Sequence, residues 1–391
     1  MNKYVRLKNI LGNSVLMDEP LKNHTFLKIG GSADVYLEVF DNDEFKKAII
    51  EASKRNIPIT VLGAGSNVLI SDNGIRGLVL VNHASKIKIL DKDIIELNIE
   101  ATKPEYRWES DSETGTFKYE FKDLDYNESD KPRIKVRMDS GVSLPLAIDY
   151  LLDKGVTGLQ WYAGIPGTIG GAVFNNIHGG THFISEVIES VNVIETTGKE
   201  AILSIKELGV GYDKSRFQNS GEFIIDVTFL LFKGDEKKAK YVRYEWAKRK
   251  SIQPKNSPGC AFHNLTQEQK EKLGIPTTSA GYIIEHLLKM TGFRIGDAAI
   301  SDKHNNFIVN LGKATALDYL LVMKEIYKKA KKELGITMVP EIFFLGFKSD
   351  EIKEFLGREQ YLITETRNRE IKTVYKDSKD LFTKTIESRK N

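Results

Sequence analysis

The stretch NSPGCAFHN, residues 256–264, contains the only cysteine in a chain of 391 residues. A thiol can donate a proton or act as a nucleophile, because its unperturbed pKa of about 8.5 lies near neutral pH. A lone cysteine is also often a small buried apolar residue without a chemical task. One thiol excludes an internal disulfide and a CxxC zinc site, so we expect no metal site and a reducing compartment, the cytoplasm.

Two glycine-rich stretches could lie against a ligand. GAGSN, residues 63–67, lets backbone N–H groups converge on an anion, although a tight turn explains this pattern as well. AGIPGTIGGAVFNNIHGG, residues 163–180, contains six glycines, more than one close packing contact requires, and such backbone can approach a flat ligand closely. The first stretch lacks the third glycine and the following helix of a Rossmann dinucleotide-binding fingerprint.

The elements around the first stretch are predicted from periodicity. Residues 43–56 (DEFKKAIIEASKRN) place apolar side chains at helical spacing after an acidic start, which predicts an amphipathic helix. IPITVL, residues 57–62, predicts a strand, and two short strand-like runs follow the glycine turn within residues 63–80. This order of helix, strand, turn and strand indicates an α+β unit.

Composition indicates an ordinary globular protein of two or three domains, with 41% hydrophobic and 28% charged residues. The net charge is +3 with both signs interspersed, so no nucleic-acid-binding surface is expected. The N-terminus lacks the regions of a signal peptide, and no apolar run approaches the roughly 18–20 residues that span a bilayer. We therefore expect no membrane insertion and no export.

Seven motifs, in order along the chain, resemble those of the UDP-N-acetylenolpyruvoylglucosamine reductase family, also called UDP-N-acetylmuramate dehydrogenase. The resemblance covers nearly everything between about residue 20 and residue 347, and seven ordered motifs are far more specific than any one of them. The motifs are NHTFLKIGGSADVYLE (23–38), VLGAGSNVLISDNGIRGLVL (61–80), GVSLPLAIDYLLDKGVTGLQWYAGIPGTIGGAVFNN (141–176), VGYDKSRF (210–217), GCAFHN (259–264), ISDKHNNFIVN (300–310) and VPEIFFLG (339–346).

The resemblance implies an α+β protein, in which a two-subdomain FAD-binding fold of the vanillyl-alcohol-oxidase type precedes an α+β substrate-binding domain. The expected units are FAD-binding subdomain 1 at residues 1–85, subdomain 2 at 86–235, the substrate-binding domain at 236–347 and a C-terminal extension at 348–391. FAD is the implied cofactor and NADPH the implied co-substrate. The residues expected to bind FAD are Gly63, Ala64, Gly65, Ser66, Asn67, Gly164, Ile165, Pro166, Gly167, Thr168, Gly170 and Gly171.

The implied reaction reduces the enolpyruvyl ether of UDP-N-acetylglucosamine to UDP-N-acetylmuramate in peptidoglycan synthesis. Hydride passes from NADPH through FAD to the β-carbon of the enol, so the enolate needs stabilisation and the α-carbon needs a proton. Cys260 occupies the position where the family usually carries a serine proton donor. Glu341, in VPEIFFLG, matches the family's acidic residue near the enolate and, if protonated, could donate a hydrogen bond or relay the proton. An exposed strand-end carboxylate is the alternative.

VGYDKSRF departs from the family's pattern at one position. The family carries an arginine after Gly-Tyr, which holds the substrate and polarises its carboxylate, and this chain carries Asp213. A carboxylate cannot replace a guanidinium at a carboxylate contact and repels an anionic enolate. Lys214 and Arg216 are the basic residues that could take over, although in an extended segment Lys214 would face the other side.

The expected substrate contacts are therefore Tyr212, Lys214 and Arg216, together with Asn264, which matches a substrate-contacting asparagine of the family. His263 stands where a lysine is common, either as a contact to phosphate or carboxylate or as a surface histidine. The resemblance also implies a UDP-sugar as the small-molecule substrate. We expect a monomer or a weak dimer.

Two segments exceed the family's length. An insertion at about 101–133 predicts an exposed hairpin or a mobile loop, either a lid or a solvated excursion. The tail from Lys348 predicts a short helix and hairpin that dock on the body or on a partner. Two other functions stay open: an FAD-dependent oxidoreductase of the same fold acting on another acidic substrate, and a non-catalytic flavin-binding protein.

Overall fold

The structure is a computed structural model that describes residues 2–95 and 124–352. Within these ranges the helices are α1 (Lys3–Leu11), α2 (Asn42–Ser53), α3 (Leu144–Leu152), α4 (Ile169–Asn175), α5 (Phe217–Ser220), α6 (Glu236–Ser251), α7 (Gln267–Leu273), α8 (Ala280–Tyr282), α9 (Ala316–Leu334) and α10 (Ser349–Ile352).

The strands of the same ranges are β1 (Leu16–Pro20), β2 (Ser32–Val39), β3 (Ile59–Leu62), β4 (Val68–Ile70), β5 (Ile75–Asn82), β6 (Ile87–Ile95), β7 (Arg133–Asp139), β8 (His178–Gly179), β9 (His182–Phe183), β10 (Ile188–Ile194), β11 (Glu200–Ser204), β12 (Phe223–Phe232), β13 (Arg294–Ile295), β14 (Ala298–Ile300), β15 (Ile308–Asn310) and β16 (Phe343–Leu345). Most strand pairs are antiparallel and helices pack on the sheets, so the predicted α+β class is confirmed.

The first sheet has the strand order β1-β2-β5-β3, in which β2, β5 and β3 run parallel and β1 runs antiparallel to β2. Helix α2 begins after Asp41, whose carboxylate accepts hydrogen bonds from the backbone N–H groups of Asp43 and Glu44. Its apolar face, which includes Phe45 and Ile49, is buried against this sheet. The helix predicted at 43–56 and the strand predicted at 57–62 are both confirmed.

The second sheet is antiparallel, with the strand order β11-β10-β12-β7-β6. Alternate residues of β12, including Val227, Phe229 and Leu231, form a core with α3, α4 and α6. The start of β12 contributes Phe223 and Ile225 to the core of the first sheet instead. Strand β12 therefore contributes apolar side chains to the cores of both sheets and joins them.

The third unit packs α9 over the small antiparallel sheet β13-β14-β15. Thr315 starts α9 with a reciprocal capping box, in which Asp318 also takes part. Asp72, from the turn after β4, accepts hydrogen bonds from the first two backbone N–H groups of α9 at 2.8 and 3.0 Å. In addition, β16 pairs in parallel with β4, so the third unit is joined to the first at two places.

The domain boundaries at 85, 235 and 347 stay a prediction. Each of the three sheets lies inside one of the predicted units, although the buried face of α6 packs on the core of the second sheet. Residues 101–123 of the predicted insertion and residues 353–391 of the tail lie outside the described residues. None of the helices described is both long enough and apolar enough to cross a bilayer.

Candidate active site

The two glycine-rich loops, residues 63–67 and 164–171, lie against each other. The hydroxyl of Ser66 donates a hydrogen bond of 2.7 Å to the carbonyl of Pro166. A Cβ added at Gly63 would lie 3.2 Å from the hydroxyl of Thr168. The first loop connects β3 to β4 and the second leads into α4, where Thr168 caps the helix by accepting a hydrogen bond from the N–H of Gly171. The fold thus brings all the residues predicted to bind FAD into one region.

Protein packing explains several of these glycines. A Cβ at Gly65, which has a φ of 65°, would overlap the carbonyl of His24. A Cβ at Gly170 would lie 2.9 Å from the side chain of Ser140, and one at Gly179 would overlap the carbonyl of Trp161. Close packing and positive φ therefore account for some glycines of the second stretch but not for all six.

Two glycines of the second loop face open space. A Cβ at Gly167 would have nothing within 4 Å, and one at Gly171 would approach only the hydroxyl of Thr168. Packing does not demand glycine at these positions, but a flat ligand that contacts the backbone does. The exposed surface of the loops therefore fits the FAD that the resemblance implies.

Cys260 lies on an extended segment between two others. It forms an isolated antiparallel bridge with Phe307, and the N–H of the next residue, Ala261, donates a 2.7 Å hydrogen bond to the carbonyl of Asn306. On the opposite side, the N–H of Glu341 donates a 3.0 Å hydrogen bond to the carbonyl of Ala261. Cys260 and Glu341 therefore lie on neighbouring segments, as their predicted joint role requires.

The side chain of Asn306 fixes the extended segment that carries Cys260. Its amide oxygen accepts a 3.0 Å hydrogen bond from the N–H of Phe262, and its amide nitrogen donates one of 2.8 Å to the carbonyl of the same residue. Asn306 is buried, and its side chain lies close enough to Cys260 to lower the pKa of the thiol slightly. Sequence reasoning missed this residue, because one asparagine among the polar residues of ISDKHNN carries no signal that separates it from its neighbours.

Burial controls the protonation of both predicted catalytic groups. It raises the pKa of the half-buried Cys260, and the negative charges of Glu341 and Asp213 raise that pKa further, while Lys250 opposes them. Burial and the charge of Asp213 likewise raise the pKa of Glu341 well above its ordinary value, again against Lys250. At neutral pH the cysteine is a thiol with a proton to donate, and the carboxyl group of Glu341 favours its protonated form.

Lys250 lies where the cofactor loops meet this group of side chains. A Cβ at Gly164 would lie 2.7 Å from the Cβ of Lys250, so the glycine lets the end of α6 approach the second loop. The lysine lowers the pKa of both Cys260 and Glu341 through its charge. In the sequence, Lys250 is one of several basic residues at the end of α6. Such a run is more typical of a solvent-exposed helix face than of an active site.

Asp213 lies in a tight turn. The N–H groups of Gly211 and Lys214 each donate to the other's carbonyl, at 3.0 and 3.2 Å, and Asp213 has a φ of 48°. The chain therefore reverses here, so the extended geometry in which Lys214 would face the other side does not apply. The ring of Tyr212 lies between His178 and His263, with centroids 4.9 and 5.5 Å away.

The side chain of Asp213 is 4% exposed and lies between two histidines. Its Oδ1 is 3.5 Å from Nδ1 of His178, and its Oδ2 is 3.4 Å from Nδ1 of His263. Burial lowers the pKa of His263, which Asp213 partly offsets. The sequence offered no basis for including His178, because it falls within the glycine-rich stretch and fits no spacing motif.

Two predicted substrate contacts have protein partners. Arg216 forms a bidentate pair with the carboxylate of Glu222 at 3.0 and 2.9 Å and also donates to the carbonyl of Glu207. The exposed Asn264 accepts a 3.1 Å hydrogen bond from the N–H of Ala280, at the start of α8. The fold brings Tyr212, Asp213 and His263 together with Glu341, whereas Arg216 is held by another carboxylate.

Comparison with known proteins gives consistent matches. Residues 253–345 match the family described as UDP-N-acetylenolpyruvoylglucosamine reductase, C-terminal domain, and residues 118–204 match the FAD binding domain family. UDP-N-acetylenolpyruvoylglucosamine reductase from Lachnoclostridium phytofermentans is 30% identical, over 88% of this chain and 96% of the relative. The protein of the same name from Pediococcus pentosaceus is 31% identical, over 85% of this chain and 94% of the relative.

A solved structure extends the match to three dimensions. The crystal structure of UDP-N-acetylenolpyruvylglucosamine reductase from Thermus caldophilus aligns with a TM-score of 0.60 and 27% sequence identity. The alignment covers 84% of this chain and 97% of that chain. The similarity therefore extends across both the cofactor loops and the segments that carry Cys260 and Glu341.

Proposed function

The chain belongs to the UDP-N-acetylenolpyruvoylglucosamine reductase family, and we propose that it reduces the enolpyruvyl ether of UDP-N-acetylglucosamine to UDP-N-acetylmuramate with NADPH as the reductant. The protein is an FAD-dependent oxidoreductase of peptidoglycan synthesis. Its substrate is a UDP-sugar, and we further propose that it works in the cytoplasm as a monomer or a weak dimer.

The observation that carries this proposal is the contact between the cofactor loops and the two catalytic segments. Strand β16 follows Glu341 and pairs with β4, which follows the first loop. The N–H of Phe343 donates a 3.0 Å hydrogen bond to the carbonyl of Asn67, the last residue of that loop. A cofactor held on the loops would therefore lie beside the segments that carry Cys260 and Glu341, as hydride and proton transfer to one substrate requires.

The backbone of residues 63–67 and 164–171 would hold FAD. Bound there, FAD would supply the hydride chemistry, the acceptance of hydride from NADPH and its donation to the β-carbon of the enol. The protein orients the substrate, and Cys260 donates its thiol proton to the α-carbon, which completes the addition of hydride and proton across the double bond. Burial raises the pKa of Cys260, so the thiol is in the protonated form that a general acid needs at neutral pH.

Glu341 is proposed to stabilise the enolate. In its protonated form the carboxyl group donates a hydrogen bond to the substrate carboxylate without adding negative charge. Lys250 brings a positive charge to the same region. Tyr212, Lys214 and Asn264 stay proposed contacts of the substrate, and Arg216 has to leave Glu222 to become one.

The test is an anaerobic two-step assay on the full chain with its flavin bound. NADPH should bleach the flavin absorbance, and the later addition of UDP-N-acetylglucosamine enolpyruvate should restore it. Flavin that is reduced but not reoxidised by this substrate would contradict the proposed reaction while leaving the cofactor assignment in place.

One observation favours a second candidate, an FAD-dependent oxidoreductase of the same fold that acts on another acidic substrate. Asp213 is buried at the position where the family carries a substrate-binding arginine, and its negative charge acts on Glu341. If this candidate is correct, the reduced flavin should be reoxidised by a different α,β-unsaturated acid and not by the enolpyruvyl UDP-sugar.

A further inference from the structure

Three side chains from three separate segments converge beside Cys260. Asp213 comes from the turn at 211–214, His263 from the extended segment at 259–264, and Glu341 from the segment before β16. One donor atom from each of them lies within 4.8 Å of the other two. The fold therefore assembles a nitrogen and two carboxylate oxygens around one point.

The polar atoms of this cluster are incompletely satisfied. Oδ2 of Asp213 has no hydrogen-bond partner within the described part of the chain, although this side chain is 4% exposed. Nδ1 of His178, 3.5 Å from the other oxygen of Asp213, also lacks a hydrogen bond there. Nδ1 of His263, 3.4 Å from Oδ2 of Asp213, makes no hydrogen bond to it. A buried carboxylate oxygen that no hydrogen bond compensates is costly, so a positively charged group at this point would stabilise it.

We propose that Asp213, His263 and Glu341 bind one divalent metal ion of the Zn²⁺ or Mn²⁺ type, which supplies the positive charge that relatives obtain from an arginine side chain. Imidazole and carboxylate ligands together suit these ions. The site goes beyond the sequence-based expectation of no metal. Its role as an arginine substitute rests on the proposed function, whereas the binding of the ion does not.

The distances fit this assignment. Ligand atoms about 2.0–2.2 Å from a tetrahedral ion lie about 3.3–3.6 Å from each other. His263 Nδ1 and Asp213 Oδ2 are 3.4 Å apart, so this edge of the coordination shell is already formed. The remaining separations, within 4.8 Å, need a contraction of about 1 Å by the carboxylate of Glu341.

The neighbouring residues complete the site. His178, at the outer oxygen of Asp213, would orient the ligand carboxylate in the way that outer-shell partners do in metal sites. Three protein ligands leave the fourth position for a substrate oxygen, as in catalytic zinc sites. Binding of the ion would displace the proton of Glu341, so the ion would neutralise both facing carboxylates and take over from the protonated carboxyl group the stabilisation of the substrate carboxylate. Cys260 still provides the proton for the α-carbon, and the ion keeps its oxidation state.

Lys250 is the nearby side chain that could otherwise provide the charge. Its influence extends to Cys260, Glu341 and His304, yet the hydrogen bonds and ion pairs of residues 2–95 and 124–352 include none between Lys250 and Asp213. Because its stem packs on Gly164, on the side of the second cofactor loop, we assign it to the flavin side of the site.

The experiment measures ion binding by the full flavin-bound chain, without substrate. The protein is stripped with a chelator and titrated with Zn²⁺ by calorimetry and with Mn²⁺ by electron paramagnetic resonance. We expect one saturable equivalent per chain, with affinity at least about tenfold weaker in Asp213→Asn and His263→Gln. Asparagine fits the positive φ of Asp213 and keeps its shape. Retained flavin absorbance shows that each variant is folded.

A second histidine provides the matched control. His182 lies between two carboxylates, Asp125 at 2.8 Å and Glu186 at 3.2 Å, but both of its ring nitrogens are hydrogen-bonded. His182→Gln should leave ion binding unchanged. The absence of a saturable equivalent in the wild-type protein, or binding that survives both cluster substitutions, would overturn the proposal.

Activity separates this proposal from the proposed function. If the ion binds as expected but the enolpyruvyl UDP-sugar does not reoxidise the flavin, the metal site stands and the reaction is wrong. If the flavin is reoxidised at full rate in chelator-stripped protein that binds no added ion, the reaction stands and the metal site is wrong.

Discussion

The cofactor loops and the cluster around Cys260 lie side by side, but the loops present backbone atoms to a ligand and the cluster presents side chains. The loops at 63–67 and 164–171 present backbone, and glycines such as Gly167 leave their surface open. The cluster presents side chains whose charges interact, namely Asp213, Glu341 and Lys250. Backbone shape survives most changes of sequence, whereas one substitution at a charged position such as Asp213 changes the balance of charge.

The largest expected effect is on proton transfer. Cys260→Ala should slow flavin reoxidation by the enolpyruvyl substrate by about 10²–10⁴-fold, the usual contribution of a general acid, and leave flavin reduction by NADPH nearly intact. Stopped-flow absorbance measures both halves. Cys260→Ser should retain most of the activity. Equal losses in the two half-reactions would instead indicate that the thiol is structural.

Two glycine substitutions separate the cofactor surface from the fold. Gly167→Ala should leave the thermal stability of the flavin-free protein unchanged, since its Cβ would have no protein atom within 4 Å. It should weaken FAD binding by about tenfold, because this Cβ would enter the space proposed for the cofactor. Gly170→Ala should lower the free energy of unfolding by about 1–3 kcal/mol, because its Cβ would crowd Ser140. Calorimetry of the apoprotein and flavin titration test both, and the reverse pattern would contradict the assignment.

Two histidines, His304 and His182, should make the stability of the protein depend on pH in opposite directions. Burial lowers the pKa of His304, which lies beside the cluster, to about 4. As the pH falls, this histidine therefore binds a proton in the unfolded chain before it does so in the folded protein. The free energy of unfolding should fall as the pH drops from about 6.5 to 4. Burial opposes protonation of His182, but hydrogen bonds to Asp125 and Glu186 raise its pKa to about 9. The contribution of His182 to the free energy of unfolding is complete below pH 6.5 and is lost as the pH rises to about 9.

The measurement is urea unfolding across this pH range, followed by tryptophan fluorescence, for which Trp161 is a local probe because it stacks on His182 at 4.1 Å. Each contribution is of the order of 3 kcal/mol. His304→Gln should remove the loss on the acid side and His182→Gln the loss on the alkaline side. An unchanged profile in either variant would show that another group titrates there.

The smallest expected effect is at Arg216. Its bidentate pair with Glu222 favours a structural role, so Arg216→Ala should lower stability by about 1–2 kcal/mol and change the KM for the UDP-sugar by less than about threefold. Steady-state kinetics and thermal unfolding decide the point. A KM increase of tenfold or more at unchanged stability would restore Arg216 as a substrate contact.

Sequence predicted the fold class, helix α2, strand β3 and the glycine turn, because apolar periodicity and turn residues determine them locally. It also selected Cys260 and Glu341, but through the resemblance to a family. It missed His178 and Asn306, since their importance depends on a turn and a segment that only the folded chain brings together. The positive φ of Asp213, which turns its side chain toward the histidines, likewise has no signature in VGYDKSRF.

The pairing of β4 with β16 also has a consequence for biosynthesis. The partner strands lie about 275 residues apart in the chain, and among the described strands β4 pairs with no other. While the chain leaves the ribosome, the first and second sheets can form from residues already made, but the loop at 63–67 gains its neighbouring strand only after residue 345 has been added. Assembly of the active site is therefore one of the last steps of synthesis, and a chain stopped before VPEIFFLG would carry the cofactor loops without the acid that completes them.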